Sequence, residues 1–283
     1  MKVFIDGQLF DGAEGRIPVN DHGLLYGDGV FEGIRVFAGK PFLLDEHLQR
    51  MAYGLRAVHL ALPGGVPRLR EAVLTTVAAH AAPDSYVRLI VTRGDGPLGV
   101  DPAGCSTPRV ICIVDRIDIF PEEVRRAGIS LATVSMRRPA ADVLDPRVKS
   151  LNYLNNALAR LESRRQGADD ALLLNQHGLV AEASVANVFV VHGEQLWTPL
   201  TTDGALDGVT RAVVLGLGRQ LGLRVSERSL SRTDFFAASE AFLTGTGVGV
   251  VRVRSLDGEL IGEPGRAQVT ERLIDAYDTL TRS

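Results

Sequence analysis

Apolar and polar residues alternate from the start of the chain. Val3-Phe4-Ile5 and Gln8-Leu9-Phe10 flank Asp6-Gly7, the pattern of a tight hairpin. Asn20-Asp21-His22-Gly23 reads as a loop. From Gly29 a period of two predicts a strand to Phe37, with Phe31, Gly33 and Arg35 on one face. Asp45 is the expected N-cap of a helix over 46–60, with Leu48, Met51, Leu55 and Val58 on one stripe. Pro63-Gly64-Gly65 ends that helix, and Pro67 starts a second, to about residue 82. Tyr86 to Thr92 alternates as a strand, with Tyr86, Arg88 and Ile90 sharing a face. A Gly/Pro-rich loop over 93–104 leads to another strand, Arg109 to Val114.

Near Asp115–Pro121 the strand pattern stops and Pro121-Glu122-Glu123 offers a helix start, the mark of a connector. The expected organisation is a small N-terminal α/β domain over 1–117, a connector over 118–127 and a larger C-terminal domain over 128–283. A chain of 283 residues exceeds the size of most single cores, which also favours two lobes. The second lobe begins with a strand over 129–136, a helix over about 153–166 and a strand at Ala171–Asn175. Gln176-His177-Gly178 is a turn, and one long strand runs from Leu179 to Val191. A helix opens at Asp207-Gly208-Val209 and runs to about Leu221. Ser231 and Asp234 have the spacing of a capping box, Ala241-Phe242-Leu243 is a strand, and a closing helix covers 264–281. The fold class is α/β, arranged as a two-lobe α+β chain.

Composition narrows the function classes. Hydrophobic residues at 45% and charged residues at 23% suit a soluble globular protein. Lys+Arg of 31 against Asp+Glu of 34 gives a net charge of −3, which argues against a nucleic-acid partner. Cys105 and Cys112 form neither a CxxC pair nor a zinc-ligand spacing, so no metal is expected and the thiols read as unreactive. The N-terminus turns polar too early for a signal peptide, and no apolar run approaches about 18 residues. The expectation is a cytoplasmic protein without a membrane partner.

Five features carry chemistry. Lys149 lies between a proline-broken turn at Pro146 and a helix rich in Leu and Ala. A desolvated lysine amine can act as a nucleophile and hold an aldehyde as a Schiff base. Glu182 sits among small and apolar residues, where a carboxylate needs a partner; a protonated pyridine nitrogen is one that fits. Gly208-Val209-Thr210 begins a helix, where free N–H groups and a hydroxyl favour an anion. Thr244-Gly245-Thr246-Gly247 offers a second set of N–H and hydroxyl groups after a strand. In the first lobe Tyr26, Phe31, Arg35, Tyr86 and Arg88, with Gly27, Gly29 and Gly33, have the makings of a substrate pocket with a carboxylate reader. Gly245-Thr246-Gly247-Val248-Gly249 imitates a dinucleotide fingerprint, but Val250–Arg254 continues as a strand pattern, which excludes it.

The runs Tyr26–Arg35, Glu46-His47-Leu48-Gln49-Arg50, Lys149–Asn155, Val180-Ala181-Glu182, Gly208-Val209-Thr210-Arg211 and Phe242–Thr246, in this order and spacing, resemble the class IV pyridoxal-phosphate aminotransferases, most of all the branched-chain amino-acid aminotransferases. The resemblance covers nearly the whole chain. It implies the fold of a type IV pyridoxal-phosphate enzyme with a pseudo-barrel C-terminal domain, and pyridoxal 5′-phosphate as cofactor. It makes Lys149 the Schiff-base lysine and Glu182 the partner of the pyridine nitrogen. Arg50, Val209, Thr210 and Thr246 become the phosphate cup, Tyr153 the neighbour of the phenolic oxygen, and Leu206 the residue packed on the ring. Tyr26, Phe31, Tyr86 and Arg88 line the substrate pocket, with Arg88 for a glutamate side-chain carboxylate, Thr246-Gly247 backbone for the α-carboxylate and Arg35 in a role left open. It further implies a homodimer or higher homo-oligomer in which a loop near 97–105 of one copy closes the other's site, and transamination between a branched-chain L-amino acid and 2-oxoglutarate. An aminodeoxychorismate lyase and a D-amino-acid or (R)-amine aminotransferase share the pattern and stay open as alternatives. Val248-Gly249 and Ala183-Ser184-Val185-Ala186 depart from the branched-chain pattern. Pro97-Leu98-Gly99-Val100 lacks the Arg and His of a D-amino-acid carboxylate trap.

Overall fold

A computed structural model describes residues 1–263 and 267–282; the first residues of the expected closing helix, 264–266, lie outside them. The chain divides into two compact units, Met1–Ile117 with Val148–Asn152, and Asp118–Arg147 with Tyr153–Ser283.

The first unit contains β1 (Lys2–Ile5), β2 (Gln8–Asp11), α1 (His22–Tyr26), β3 (Gly29–Phe37), β4 (Lys40–Pro41), α2 (Leu44–Ala57), α3 (Gly65–His80), β5 (Ser85–Thr92) and β6 (Arg109–Asp115). The strands form one antiparallel sheet in the order β2-β1-β6-β5-β3-β4. Asp6 and Gly7 both take positive φ, 47° and 97°, as the two-residue hairpin turn requires. Alternate residues of the central strands, among them Ile34, Leu89 and Val110, pack with Leu48, Met51 and Leu55 of α2 and Leu69 and Val73 of α3.

Two local expectations are corrected here. Residues 22–26 are a short helix rather than loop, because buried Asp21 accepts the Gly23 N–H at 2.8 Å and caps it. Asp45 does not cap α2. The helix starts at Leu44, after Leu43 in the left-handed region, and Asp45 pairs with Arg70 of α3 instead.

The second unit contains α4 (Glu122–Ala127), β7 (Ile129–Arg137), α5 (Ala141–Leu144), α6 (Leu154–Arg165), β8 (Asp170–Leu174), β9 (Val180–Ala183), β10 (Asn187–His192), β11 (Gln195–Thr198), α7 (Val209–Gln220), β12 (Arg224–Glu227), α8 (Arg232–Phe236), β13 (Glu240–Gly245), β14 (Gly249–Leu256), β15 (Glu259–Leu260) and α9 (Gln268–Arg282). Its sheet runs β12-β11-β10-β13-β14-β7-β8-β9, with β15 on β14. β14, β7 and β8 are mutually parallel, as are β11 and β12.

The run from Leu179 to Val191 is two strands, not one. β9 pairs with β8, whereas β10 pairs with β11 and β13, so the chain must break where it changes partners. In a flat sheet β9 and β10 would lie about 24 Å apart, five strand spacings. Only Ser184–Ala186 separate them, and the Ala183 N–H donates to Ala186 O at 2.8 Å. The sheet therefore curls back on itself as a half-barrel. Its interior holds Leu131, Leu172, Val188, Leu243 and Val251. The capping box at Ser231 and Asp234 forms on α8, and Val250–Arg254 lies within strand β14.

Glu240, buried on β13, answers the start of α9. It accepts the Val269 N–H at 3.0 Å, the Thr270 N–H at 2.7 Å and the Thr270 hydroxyl at 2.6 Å. Glu240→Ala leaves these donors without their acceptor and is expected to destabilise the protein by about 1–3 kcal/mol. The check is a urea titration: the midpoint should fall, and an unchanged midpoint would show that the cap contributes nothing.

Candidate active site

In the first unit the β3–β5 register sets Phe31, Gly33 and Arg35 opposite Ile90, Arg88 and Tyr86, so both sets share a face. Gly33 is needed there: a Cβ would lie 1.9 Å from Tyr86 Oη, whose ring occupies that space. The Arg88 guanidinium stands 4.6 Å from the Phe31 ring centroid, and its Nη2 donates to Tyr86 Oη at 3.4 Å. Arg88 Nε is buried and has no hydrogen-bond partner among the described residues. Arg35 stacks on Phe37 at 5.2 Å.

The segment carrying Lys149 belongs to this unit and runs beside β3. The Phe31 N–H donates to Lys149 O at 2.9 Å, Ser150 bridges to Val30, and the Leu151 N–H donates to Gly29 O at 3.0 Å. Lys149 is half-buried, with Nζ 4.5 Å from the Phe31 ring centroid. Phe31 thus meets two cations, Lys149 and Arg88.

Glu32 points to the opposite, helix-covered face. It is fully buried and accepts Arg50 Nε and Nη2, each at 2.7 Å, with His47 Nδ1 at 2.9 Å. Burial alone would raise its pKa. The charge and hydrogen bonds of Arg50, helped by His47, outweigh burial and bring it down from 4.5 to about 2. Arg50 is therefore fixed on α2 by a carboxylate the sequence reading did not single out. Tyr26 stands on α1, where its Oη accepts the Gly99 N–H at 2.8 Å. Buried His22 packs edge-on against the Tyr26 ring, with Nε2 3.0 Å from Pro97 O.

In the second unit Glu182 lies on β9, 4% exposed. Oε1 pairs with Arg138 Nη2 at 2.7 Å, and Oε2 accepts the Leu206 N–H at 2.9 Å and Asn187 Nδ2 at 3.3 Å. Asn187 also donates to Leu206 O at 2.8 Å. Two residues further on, Gly208 is the N-cap of α7 and brings no side-chain cap. A Cβ on Gly208 would lie 2.1 Å from Asn187 Oδ1, so only glycine fits. Val209 and Thr210 form the first turn of α7. Thr246 and Gly247 lie in the turn from β13 to β14, closed by the Val248 N–H to Gly245 O at 3.1 Å. Tyr153, half-buried, is the N-cap residue of α6.

The first unit therefore gathers Phe31, Arg35, Tyr86, Arg88 and Lys149 on one face, with Arg50 on the other side of the sheet and Tyr26 held by the 97–99 loop. The second gathers Glu182 and Leu206, joined through Asn187 to the start of α7. Its chemistry suits a phosphorylated pyridine. An uncapped 12-residue helix offers N–H groups to an anion, a buried carboxylate can answer a protonated ring nitrogen, and Thr244 Oγ1 beside Asn187 is buried without a partner among the described residues. The cysteines add nothing to this chemistry: burial pushes the Cys112 thiol up to about 12, where it is a poor nucleophile.

Residues 29–256 match the model of the class IV amino-transferase family. The chain belongs to that family. A Methanocaldococcus jannaschii protein, provisionally named a branched-chain-amino-acid aminotransferase, is 39% identical over 277 residues, spanning 98% of this chain and 95% of that one. A T.th. branched-chain amino acid aminotransferase, solved with pyridoxamine 5′-phosphate, matches with a TM-score of 0.94 at 31% identity, over 100% of this chain and 95% of its own. The 4-amino-4-deoxychorismate lyase of Pseudomonas aeruginosa matches with a TM-score of 0.87 at 31% identity, over 99% and 100%. This class IV aminotransferase is thus an enzyme of fold type IV that takes pyridoxal 5′-phosphate as cofactor.

Sequence reasoning missed Glu32, His47, Arg138 and Asn187. Glu32 had a signal: it falls on the core face of an alternating strand. Arg138 had none, since it lies 44 residues before its partner.

Glu32 gives the fold a defined acid response. Its pKa is lower folded than unfolded, so its contribution is present above about pH 4.5 and is lost as pH falls toward 2. Melting temperature measured from pH 6 to 3 should fall in the acid range, and Glu32→Gln should flatten that slope. An equal slope in the variant would remove Glu32 as the cause.

Proposed function

We propose that this chain is a pyridoxal-phosphate-dependent aminotransferase that moves an amino group between a branched-chain L-amino acid and 2-oxoglutarate. The observation that carries this is the segment Leu206–Thr210. It donates to the buried carboxylate of Glu182 at one end and opens an uncapped helix at the other, two demands that one phosphorylated pyridine makes together.

The cofactor, when bound, supplies an aldehyde to take the amino group and a protonated ring to accept the electron pair left at the substrate's Cα. The chain's residues do the rest. Glu182 accepts the hydrogen bond from the ring nitrogen, and Leu206 packs on the ring. Val209, Thr210, Thr246 and Arg50 hold the phosphate, and Tyr153 serves the phenolic oxygen. Lys149 Nζ would take the proton from the donor's Cα and return it across the nitrogen to the former aldehyde carbon, general acid–base work worth about 10²–10⁴-fold. Phe31 and Tyr86 receive an apolar side chain. Arg88 reads the side-chain carboxylate of glutamate and 2-oxoglutarate, its buried Nε supplying a donor still to be answered. Gly247 backbone takes the α-carboxylate, while Tyr26 and Arg35 complete the pocket.

In this assignment residues 1–117 form the small domain, 118–127 the connector and 128–283 the cofactor-binding domain, save that the Lys149 segment, Val148–Asn152, packs with the first unit and 118–127 with the second. The enzyme works in the cytoplasm as a homodimer. Leu154, Leu158 and Leu161, exposed at helical spacing on α6, and exposed Leu98 and Val100 beyond Tyr26 support a second copy. A lyase acting on aminodeoxychorismate is the second reading, favoured by the Pseudomonas aeruginosa neighbour. Pro97-Leu98-Gly99-Val100 speaks against a D-amino-acid specialist.

A donor screen decides among these. L-leucine, L-valine, L-isoleucine and L-glutamate should react with 2-oxo acid acceptors, D-leucine should not, and aminodeoxychorismate should release no pyruvate. Lys149→Ala should lower kcat by at least about 10²-fold; a variant with wild-type turnover would refute the assignment. Arg88→Gln should raise KM for 2-oxoglutarate by roughly 10-fold or more, the worth of a charge-assisted hydrogen bond, and leave KM for leucine nearly unchanged. Equal effects on both substrates would exclude a carboxylate-reading role.

A further inference from the structure

Arg138 has no part in the assignment above, yet it is among the most engaged side chains of the second unit. It follows β7 directly, its N–H donating to Leu174 O at 2.9 Å, and is 7% exposed. Nη2 pairs with Glu182 Oε1 at 2.7 Å, Nη1 donates to Asn156 Oδ1 at 3.0 Å, and Nε donates to Gly204 O at 3.2 Å. Asn156 donates in turn to Ser184 O at 2.7 Å, and the Ser184 hydroxyl donates to Asp170, which pairs with Arg160 at 2.9 Å. Two ion pairs are thus linked through one buried polar chain.

Holding Glu182 still does not by itself require a charge, because the Leu206 N–H and Asn187 amide already bind Oε2. What a guanidinium adds follows from counting one proton shared between Glu182 and a ring nitrogen. With the proton on nitrogen, Glu182 is an anion between two cations. With the proton on Glu182, Arg138 is a buried cation stripped of its counter-charge, a strongly unfavourable state. Oε2 would also face two donors with its charge gone.

We propose that Arg138 is a positioning residue for a proton: by pairing with Glu182 it keeps the carboxylate from taking the proton of the cofactor's ring nitrogen, so that the bound ring stays protonated. This rests on Glu182 facing that nitrogen. A ring kept protonated is the stronger electron sink, so Arg138 acts on the rate through Glu182 without touching substrate. An arginine serves because it remains charged in a dry site, and its planar fork answers Glu182, Asn156 and Gly204 together.

The test is nitrogen NMR of the holoenzyme loaded with pyridoxal phosphate labelled with ¹⁵N in the ring, which distinguishes pyridinium from neutral pyridine directly. Wild type should give the pyridinium resonance; a neutral-pyridine signal there overturns the proposal without any variant. Arg138→Gln, which keeps a donor for Glu182 and removes the charge, should lose the pyridinium resonance, and Arg138→Met provides a second neutral replacement. Arg138→Lys should restore the resonance, because it keeps the charge while giving up the fork. A pyridinium signal in a folded, cofactor-loaded Arg138→Gln or Arg138→Met protein overturns the proposal. Glu182→Gln separates the two assignments. If it too keeps the wild-type resonance, the role of Glu182 fails and this proposal with it. If it shifts while Arg138→Gln does not, only the role of Arg138 fails.

Discussion

A carboxylate buried in a sheet has to be met by donors on every side, and each unit of this protein is arranged around one. Glu32 lies on the helix-facing side of β3 and Glu182 on β9, both almost wholly removed from water. Each is bound by an arginine and by further N–H donors: Arg50 and His47 for the first, Arg138, Leu206 and Asn187 for the second. Removing one partner of such a buried pair costs roughly 3–5 kcal/mol, because the other charge is left without an answer. The segments that supply the donors are therefore tied to the strands that carry the carboxylates. α2 is set against β3 by Arg50 and His47, and the loop entering α7 is set against β9 by Leu206.

That second attachment converts a fold constraint into a candidate site. Leu206 donates to Glu182, Asn187 binds both, and Asn187 Oδ1 crowds the position where residue 208 would carry a Cβ. Glycine at 208 relieves the crowding and also leaves α7 without a side-chain cap, so its first N–H groups point at whatever anion is present. The same economy operates at Gly33, where the missing side chain is replaced by the Tyr86 ring beside Arg88. In both places the absence of a Cβ leaves room for a polar group from elsewhere in the chain. Groups fixed this way need no reorganisation when charge develops, which is what makes preorganised sites effective.

Much of this was legible from local pattern. The Asp-Gly hairpin, the shared face of Phe31, Gly33 and Arg35 with Tyr86, Arg88 and Ile90, the capping box at Ser231 and the strand after Gly247 all follow from periods and turn residues within a few positions. The break at Ser184–Ala186 was not legible, since 179–191 carries no Gly or Pro, its few polar residues (Glu182, Ser184, Asn187) sit among apolar ones, and only the change of pairing partner interrupts it. Asp45 looks like a cap because its residue type fits one, but the helix begins two residues earlier than that, at Leu44, and Arg70 on α3 takes the carboxylate. Arg138 and Glu32 show the general limit. The residue type says that a charge is present, and only tertiary pairing says what answers it.

The two residues proposed for the ends of the chemistry are supported in different ways. Glu182 is clamped by a guanidinium, a backbone N–H and an amide, which suits the fixed hydrogen-bond acceptor proposed for it. Lys149 is carried on a short segment beside β3, half-buried, with its amine at the end of a four-carbon stem over the Phe31 ring. The proton-carrying role proposed for it would need that reach, and an aromatic face can hold a cation without fixing it in one direction as a carboxylate would. The aromatic side chain under the amine is thus compatible with the role proposed for this lysine.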